Sequence, residues 1–188
     1  MQLGKFITIE GGEGVGKSTQ IAAVRTALEA SGLQCVVTRE PGGTQRGEQI
    51  RHLLLTPTEE PMPPLCELLL MFAARSAHIE NLIRPALQQG AWVVCDRFTD
   101  ATYAYQGGGR GVSRDQIATM ESLVQGASRP DLTVLLDAPI EVAMTRARQR
   151  NAERGEKLGD RFEREQAEFF QRATHSRFAK SRSCFSPA

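Results

Sequence analysis

Long hydrophobic runs are absent from this sequence: no apolar stretch approaches the roughly 20 residues that a bilayer-crossing helix needs, so no membrane partner is expected. An excess of one charge is lacking too. Twenty-three lysines and arginines face 22 aspartates and glutamates, leaving a net charge of +1, without the basic surplus that nucleic-acid binding draws on. Aromatic residues make up only 6%, and no platform of alternating aromatic and basic residues is present for stacking single strands. The four cysteines, Cys35, Cys66, Cys95 and Cys184, form no CxxC pair, which argues against a zinc site or a disulfide framework and for reduced thiols. A strand begins within a few residues of Met1, leaving no room for a signal peptide, and a cytoplasmic location is expected.

What is present suits one domain with a substantial core, at 188 residues and 40% apolar content. Short β-branched or continuous apolar runs at Phe6–Glu10, Gln34–Thr38, Ala91–Cys95 and Leu132–Leu136 read as strands. Between them, helical spacing covers Lys17–Ala30, Thr44–Leu55, Leu65–Gln89 (bent before Pro85), Asp115–Val124, Ile140–Arg150 and Glu163–Phe178. Strands alternating with helices imply an α/β fold of three layers, α/β/α, around a parallel sheet.

Gly11-Gly12-Glu13-Gly14-Val15-Gly16-Lys17-Ser18, followed by Thr19, matches the P-loop pattern G-x-x-x-x-G-K-[ST] in its required context, a strand before and an amphipathic helix after. Glycines let consecutive backbone N–H groups curl around phosphates, and the helix beginning at Lys17 adds its positive dipole end. Lys17 is expected to reach the terminal phosphates of a nucleoside triphosphate and the Ser18 hydroxyl to ligate Mg²⁺. The base-reading N-K-x-D and D-x-x-G motifs of GTP-binding switches are missing, as is the signature of transporter ATPases. A small kinase remains, in which arginines neutralise two phosphoryl groups as they meet. Arg97 follows the strand-end Asp96, and Arg39 follows another strand, so both belong to the carboxyl edge of the sheet where ligands bind in such folds. Arg146, Arg148, Arg150 and Arg154 run from a helix into a polar segment; they form either a lid over the phosphates or a solvated basic helix face.

Seven segments together resemble bacterial thymidylate kinases: residues 10–19, Thr-Arg-Glu-Pro-Gly-Gly-Thr at 38–44, Phe-Ala-Ala-Arg at 72–75, Asp-Arg-Phe at 96–98, Ala-Tyr-Gln-Gly at 104–107, Arg-Pro-Asp-Leu-Thr at 129–133 and Asp-Arg-Phe-Glu at 160–163. Their order and spacing match the family from about residue 4 to about residue 178, which is taken as the domain, with a lid at about 146–160 and an irregular tail at 179–188. The resemblance implies a P-loop kinase that transfers the γ-phosphoryl of ATP to thymidine monophosphate for dTTP synthesis, with Mg²⁺ as cofactor and a homodimeric state. It also implies that Glu13 accepts a hydrogen bond from the 3′-hydroxyl of the deoxyribose. Arg97 would hold the acceptor phosphate with Arg39 and Arg51 nearby; Arg75 would reach a thymine carbonyl; Thr102 and Gln106 would line the base pocket. The family's aromatic ring over the base has Phe72 as its candidate here, three residues before Arg75 with Met71 at the fourth place; Phe72 is either that stacking ring or a core residue, and whether it or Met71 faces the base stays open. Tyr105 is a pocket wall or a core residue, and Asp96 positions Mg²⁺ through water or orients Arg97. Glu40 supports the phosphate or metal region or makes a loop salt bridge. Arg148, Arg150 and Arg154 are the lid arginines that would meet the transferred phosphoryl.

After Arg177 the sequence has neither strand character nor helical period, so the last strand and helix usual in that family are expected to be missing. Two other readings stay open: another nucleotide or deoxynucleoside kinase, and a homologue that binds ligand without turnover.

Overall fold

The computed structural model describes residues 3–153 with 161, 162, 165 and 169, and only the backbone path for 140, 148 and 150–153. Four strands, β1 (Phe6–Gly11), β2 (Cys35–Arg39), β3 (Trp92–Asp96) and β4 (Leu132–Leu136), pair in parallel in the order β2-β3-β1-β4. The helices are α1 (Lys17–Ala30), α2 (Gln45–Leu55), α3 (Pro64–His78), α4 (Arg84–Gln88), α5 (Thr99–Thr102), α6 (Arg114–Gln125) and α7 (Ile140–Glu153).

Successive side chains of a strand point to opposite faces, and the two central strands are apolar on both. Phe6, Val93 and Cys95 therefore pack on one side with Ile79, Ile83 and Phe98, while Ile7, Ile9 and Val94 pack on the other with Ile21 of α1. Burying one such side chain contributes about 1.5–3 kcal/mol, so this double-sided burial fixes the register of β1 between β3 and β4. At the β1–β4 junction Asp131 accepts from Lys5 Nζ at 2.7 Å and from the Phe6 amide at 2.8 Å, which holds its carboxyl below the ordinary range. That contact accounts structurally for the aspartate in the Arg-Pro-Asp-Leu-Thr segment.

Three strands run one residue further than their apolar runs suggest. Register pairs carry the ladder to Gly11 opposite Leu136 and to Arg39 opposite Asp96. The helix expected to bend before Pro85 is instead interrupted earlier, by a wide π turn over Ile79–Ile83, and Arg84 stays helical (φ −60°, ψ −47°). Here the Arg84 amide bonds Ile79 O, five residues back, so the ladder is already offset before the proline, which has no N–H to give. Residues Thr99–Gly109, unassigned from the sequence, form α5 and a second π turn (Tyr103–Gly109). Three glycines at 107–109 and the absence of a periodic apolar pattern explain why no helix is legible there.

The topology decides where chemistry can occur. With β1 central, β2 and β3 to one side and β4 to the other, the chain reverses its direction of travel across the sheet at β1, the kind of switch point where α/β proteins bind ligands. The loops after β1, β2 and β3, carrying the P-loop, Arg39–Gly43 and Arg97, all leave the same edge. No described helix is long and apolar enough to cross a membrane. Cys35 is half-buried, Cys66 exposed and Cys95 buried, and all three are free thiols. Segment 154–160 of the expected lid, most of the expected helix Glu163–Phe178, and the tail 179–188, expected to carry neither strand nor helix, lie outside the described residues.

Candidate active site

The P-loop leaves β1 at Gly11 and turns into α1 through Gly14 (φ 71°) and Gly16 (φ 96°), left-handed conformations that a side chain would strain. At Gly14 space forbids one as well: a Cβ there would lie 1.9 Å from the Ala143 carbonyl of α7. α1 has no side-chain cap and no acidic residue in its first turn, which contains Ser18 and Thr19, so its dipole end is not neutralised locally. Lys17 is buried and its Nζ donates to Gly12 O at 2.6 Å, inside the curl of the loop.

Arg97 connects this loop to the rest of the site. It is the one described non-glycine residue with positive φ (70°), and its backbone is held on both sides: its N–H donates to Ile9 O at 3.0 Å, and its carbonyl accepts the Cys95 thiol. Its guanidinium donates to Gly11 O at 2.7 Å and to Glu13 Oε1 at 2.5 Å, and lies 5.1 Å from the Tyr105 ring. Burial acts to lower its pKa, but Tyr105, Glu13, Asp96 and Glu10 together outweigh burial and raise it, so the charge is permanent. Glu10 also accepts from the Phe98 amide at 2.7 Å, tying the start of the 98–109 segment to β1.

A cleft opens beside Arg97, lined by Glu13, Glu40, Arg51, Met71, Phe98, Tyr105, Gln106 and Phe162 among others. Arg51 donates to Pro41 O at 2.9 Å, whereas Arg39 is exposed, not among the lining residues, and pairs with both oxygens of Glu48. Tyr105 is thus a wall of the cleft, with Phe162 edge-on to its ring at 5.7 Å. Phe72 is not among the lining residues. It packs in the core with Leu68, Tyr103 and Ile117, under the Arg75 guanidinium at 4.8 Å, and Met71 meets the cleft instead.

Beneath the cleft lies a buried polar network whose existence the sequence did not announce. Arg75 is fully buried; its Nε donates to Glu40 at 2.7 Å, and its Nη2 donates to Phe98 O and to Thr102 Oγ1 at 2.9 Å. Glu40 also bonds His78 at 2.9 Å, and His78 bonds Thr38. Glu40 therefore anchors Arg75, and Thr102 supports it from the other side rather than lining the cleft. Glu67, another fully buried acid, binds Gln106, Arg110 and Arg161. The available signal was periodicity: Glu67, Met71, Arg75 and His78 fall at helical spacing on one face of α3, a polar stripe in an apolar helix.

Breaking such a buried pair strands a charge. Arg75→Met is expected to lose about 3–5 kcal/mol of stability in urea unfolding, and adding Glu40→Gln should restore part of it. A double variant no more stable than the single one would refute the charge explanation.

Four buried polar atoms, Arg75 Nη1, Asp96 Oδ1, Gln106 Oε1 and Arg110 Nη2, have no hydrogen-bond partner among the described residues. Asp96 at the end of β3 carries a carboxylate oxygen without a partner, and Ser18 lies in the first turn of α1; both are oxygen donors of the kind a hard divalent cation takes. Among the described residues no three of His, Cys, Asp and Glu gather as a self-contained metal site. Of the lid arginines, Arg148 and Arg150 fall on the backbone of α7, Arg154 lies outside the described residues, and Arg146 is exposed.

A family model for thymidylate kinase matches residues 9–183. The thymidylate kinase of Chromohalobacter salexigens is 58% identical over 96% of this chain and 84% of its own length, and that of Alkalilimnicola ehrlichii is 57% identical over 92% and 77%. The crystal structure of the Ehrlichia chaffeensis thymidylate kinase superposes with a TM-score of 0.66 at 37% identity, covering 82% of this chain and 87% of that one. The family-model match over residues 9–183, with relatives 57–58% identical over most of both chains, places this chain in the thymidylate kinase family.

Proposed function

We propose that this chain transfers the γ-phosphoryl group of ATP to thymidine 5′-monophosphate, releasing ADP and thymidine 5′-diphosphate, a step of dTTP synthesis. One observation carries the reading: Arg97 touches Gly11 and Glu13 of the P-loop while lining the cleft that holds Gln106 and Tyr105, so donor and acceptor phosphates would meet at one guanidinium. An oxygen of the acceptor phosphate forms the new bond to the γ-phosphorus as the bond to the ADP oxygen breaks. That oxygen is already a nucleophile, so no general base is required, and catalysis is positioning and charge neutralisation. Lys17 and the P-loop amides hold the donor; Arg97, with Arg51 and Arg39 nearby, holds the acceptor; Glu13 takes the 3′-hydroxyl. Arg148, Arg150 and Arg154 are the lid residues assigned to the transferred phosphoryl. Mg²⁺ bound with the nucleotide supplies further neutralisation of phosphate charge, with Ser18 and Asp96 as the residues that would hold it. Arg75 Nη1 and Gln106 Oε1, one donor and one acceptor, complement the O4 and N3–H of thymine. The exposed leucines 53, 65 and 69 on α2 and α3 support a homodimer formed through that face, and the cytoplasm is the compartment assigned.

The test is coupled ADP release with Mg-ATP and a panel of nucleoside monophosphates plus thymidine. Preferential turnover of thymidine monophosphate is expected; preference for thymidine or a purine monophosphate would replace the reading by another kinase activity. Glu13→Ala should lower kcat/KM for the natural acceptor roughly 10- to 100-fold, the worth of a hydrogen bond to a charged group, and much less for its 3′-deoxy analogue. Equal losses on both acceptors would remove Glu13 from sugar recognition.

A further inference from the structure

We infer that Glu67 is a positioning residue for base selection: it sets the orientation of the Gln106 side-chain amide and thereby decides which pyrimidine the cleft accepts. The inference rests on the proposed thymidylate kinase activity and adds a residue to it.

α3 and the segment 99–109 are stitched together by two buried rungs. Arg75 donates to Thr102 at 2.9 Å, and Glu67 accepts from Gln106 Nε2 at 2.7 Å. The residues of each element stand at helical spacing, Glu67 and Arg75 on α3, Thr102 and Gln106 four apart on the other, so the rungs stack along one interface. The first rung holds a donor, Arg75, and the second holds Gln106, a wall of the cleft.

An amide alone does not encode a preference, because rotation by half a turn exchanges its oxygen and nitrogen. Glu67 removes that freedom. Its Oε2 receives Arg110 Nε at 3.1 Å and Arg161 Nη2 at 2.6 Å, and its Oε1 receives Gln106. Arginine only donates, and a carboxylate held by two guanidiniums only accepts, so the amide must turn its NH₂ toward Glu67. The Gln106 oxygen is left on the side of the amide away from Glu67: it is buried, without a partner among the described residues, and belongs to a side chain lining the cleft. An acceptor fixed at that place favours a ring N–H, as in thymine or uracil. Cytosine offers a ring nitrogen lone pair and an exocyclic donor, which opposes both Gln106 Oε1 and the Arg75 donor. Turning the amide to suit cytosine would set its oxygen against the Glu67 carboxylate in a buried site, which is costly.

The experiment compares kcat/KM for thymidine and deoxycytidine monophosphates. Glu67→Gln leaves an amide opposite Gln106 that can donate as well as accept, freeing the half-turn. The ratio of the two kcat/KM values is expected to fall at least about tenfold, mostly through KM of the cytidine substrate. Gln106→Met should lower the ratio similarly, and Glu67→Gln added to Gln106→Met should lower it no further. Losses that scale both substrates equally, or an undiminished effect of Glu67→Gln in the Gln106→Met background, would overturn the proposal. If Glu67→Gln does not fold, Gln106→Met alone decides: an unchanged ratio refutes the inference, and a tenfold fall supports it. Wild-type protein that does not use thymidine monophosphate would instead overturn the parent reading, so the two failures are distinguishable.

Discussion

Lys17→Ala is expected to lower turnover with thymidine monophosphate at least about 10³-fold, while the protein still unfolds cooperatively near the wild-type temperature. The catalytic half of that expectation follows from placement. Lys17 opens α1 directly after a left-handed Gly16, so its ammonium is held inside the loop, 2.6 Å from Gly12 O, instead of swinging on a free stem. A charge fixed there costs no reorganisation when negative charge accumulates on the transferring phosphoryl group, which is the condition under which such a group contributes most. The structural half follows from what Lys17 does not do: α1 packs on the sheet through its own Ile21, Val24 and Leu28, and they are untouched by the substitution. Lys17→Arg should rescue poorly, because the planar fork is larger and presents its donors in a fixed geometry. Steady-state ADP release and thermal unfolding on the same preparations check both halves. Turnover within tenfold of wild type would sink the P-loop assignment.

The two sides of the site differ in how far they could be read from the sequence, and the reason is the range of the interactions. P-loop, strand and helix are neighbours in the chain, so spacing alone carries the geometry of Gly11–Ser18 and its place between β1 and α1. The strand-end rule similarly places Asp96 and Arg97. The acceptor cleft is assembled from groups far apart in sequence: His78 reaches Glu40 across 38 residues and Gln106 reaches Glu67 across 39. The helical spacing of Glu67, Arg75 and His78 is a local hint, but spacing alone does not distinguish a glutamate destined for a buried pair from one on a solvated helix face. The open alternative between Phe72 and Met71 is of the same kind. Adjacent residues on a helix lie about 100° apart, so only the docking of α3 decides which meets the cleft. Met71 shares its face with Glu67 and Arg75, whereas Phe72 turns to Tyr103 and Ile117. The family resemblance reached Arg75, Thr102 and Gln106 by motif, but their division of labour, with Thr102 holding Arg75 and Gln106 held by Glu67, is visible only in three dimensions.

Replacing Arg97 by glycine and by alanine separates backbone strain from charge. A non-glycine residue in the left-handed region costs roughly 1–2 kcal/mol, and Arg97 sits there at φ 70° between two backbone anchors that prevent it from relaxing. The strain is retained because it aims the side chain from the end of β3 across to Gly11 O and Glu13, a direction that an extended residue would not give. Both variants should lose turnover by about 10³-fold or more, the scale on which an arginine at a transferring phosphoryl group acts. Their stabilities should differ in the order glycine above alanine by roughly 1 kcal/mol, since both lose the same guanidinium and only alanine keeps the unfavourable φ. Equilibrium denaturation measures that difference directly, because the lost ion pair with Glu13 cancels between the two variants. An alanine variant as stable as the glycine one would mean that the loop relaxes without cost. Activity within tenfold of wild type in either would detach Arg97 from the acceptor phosphate, and with it the observation on which the reading of the site turns.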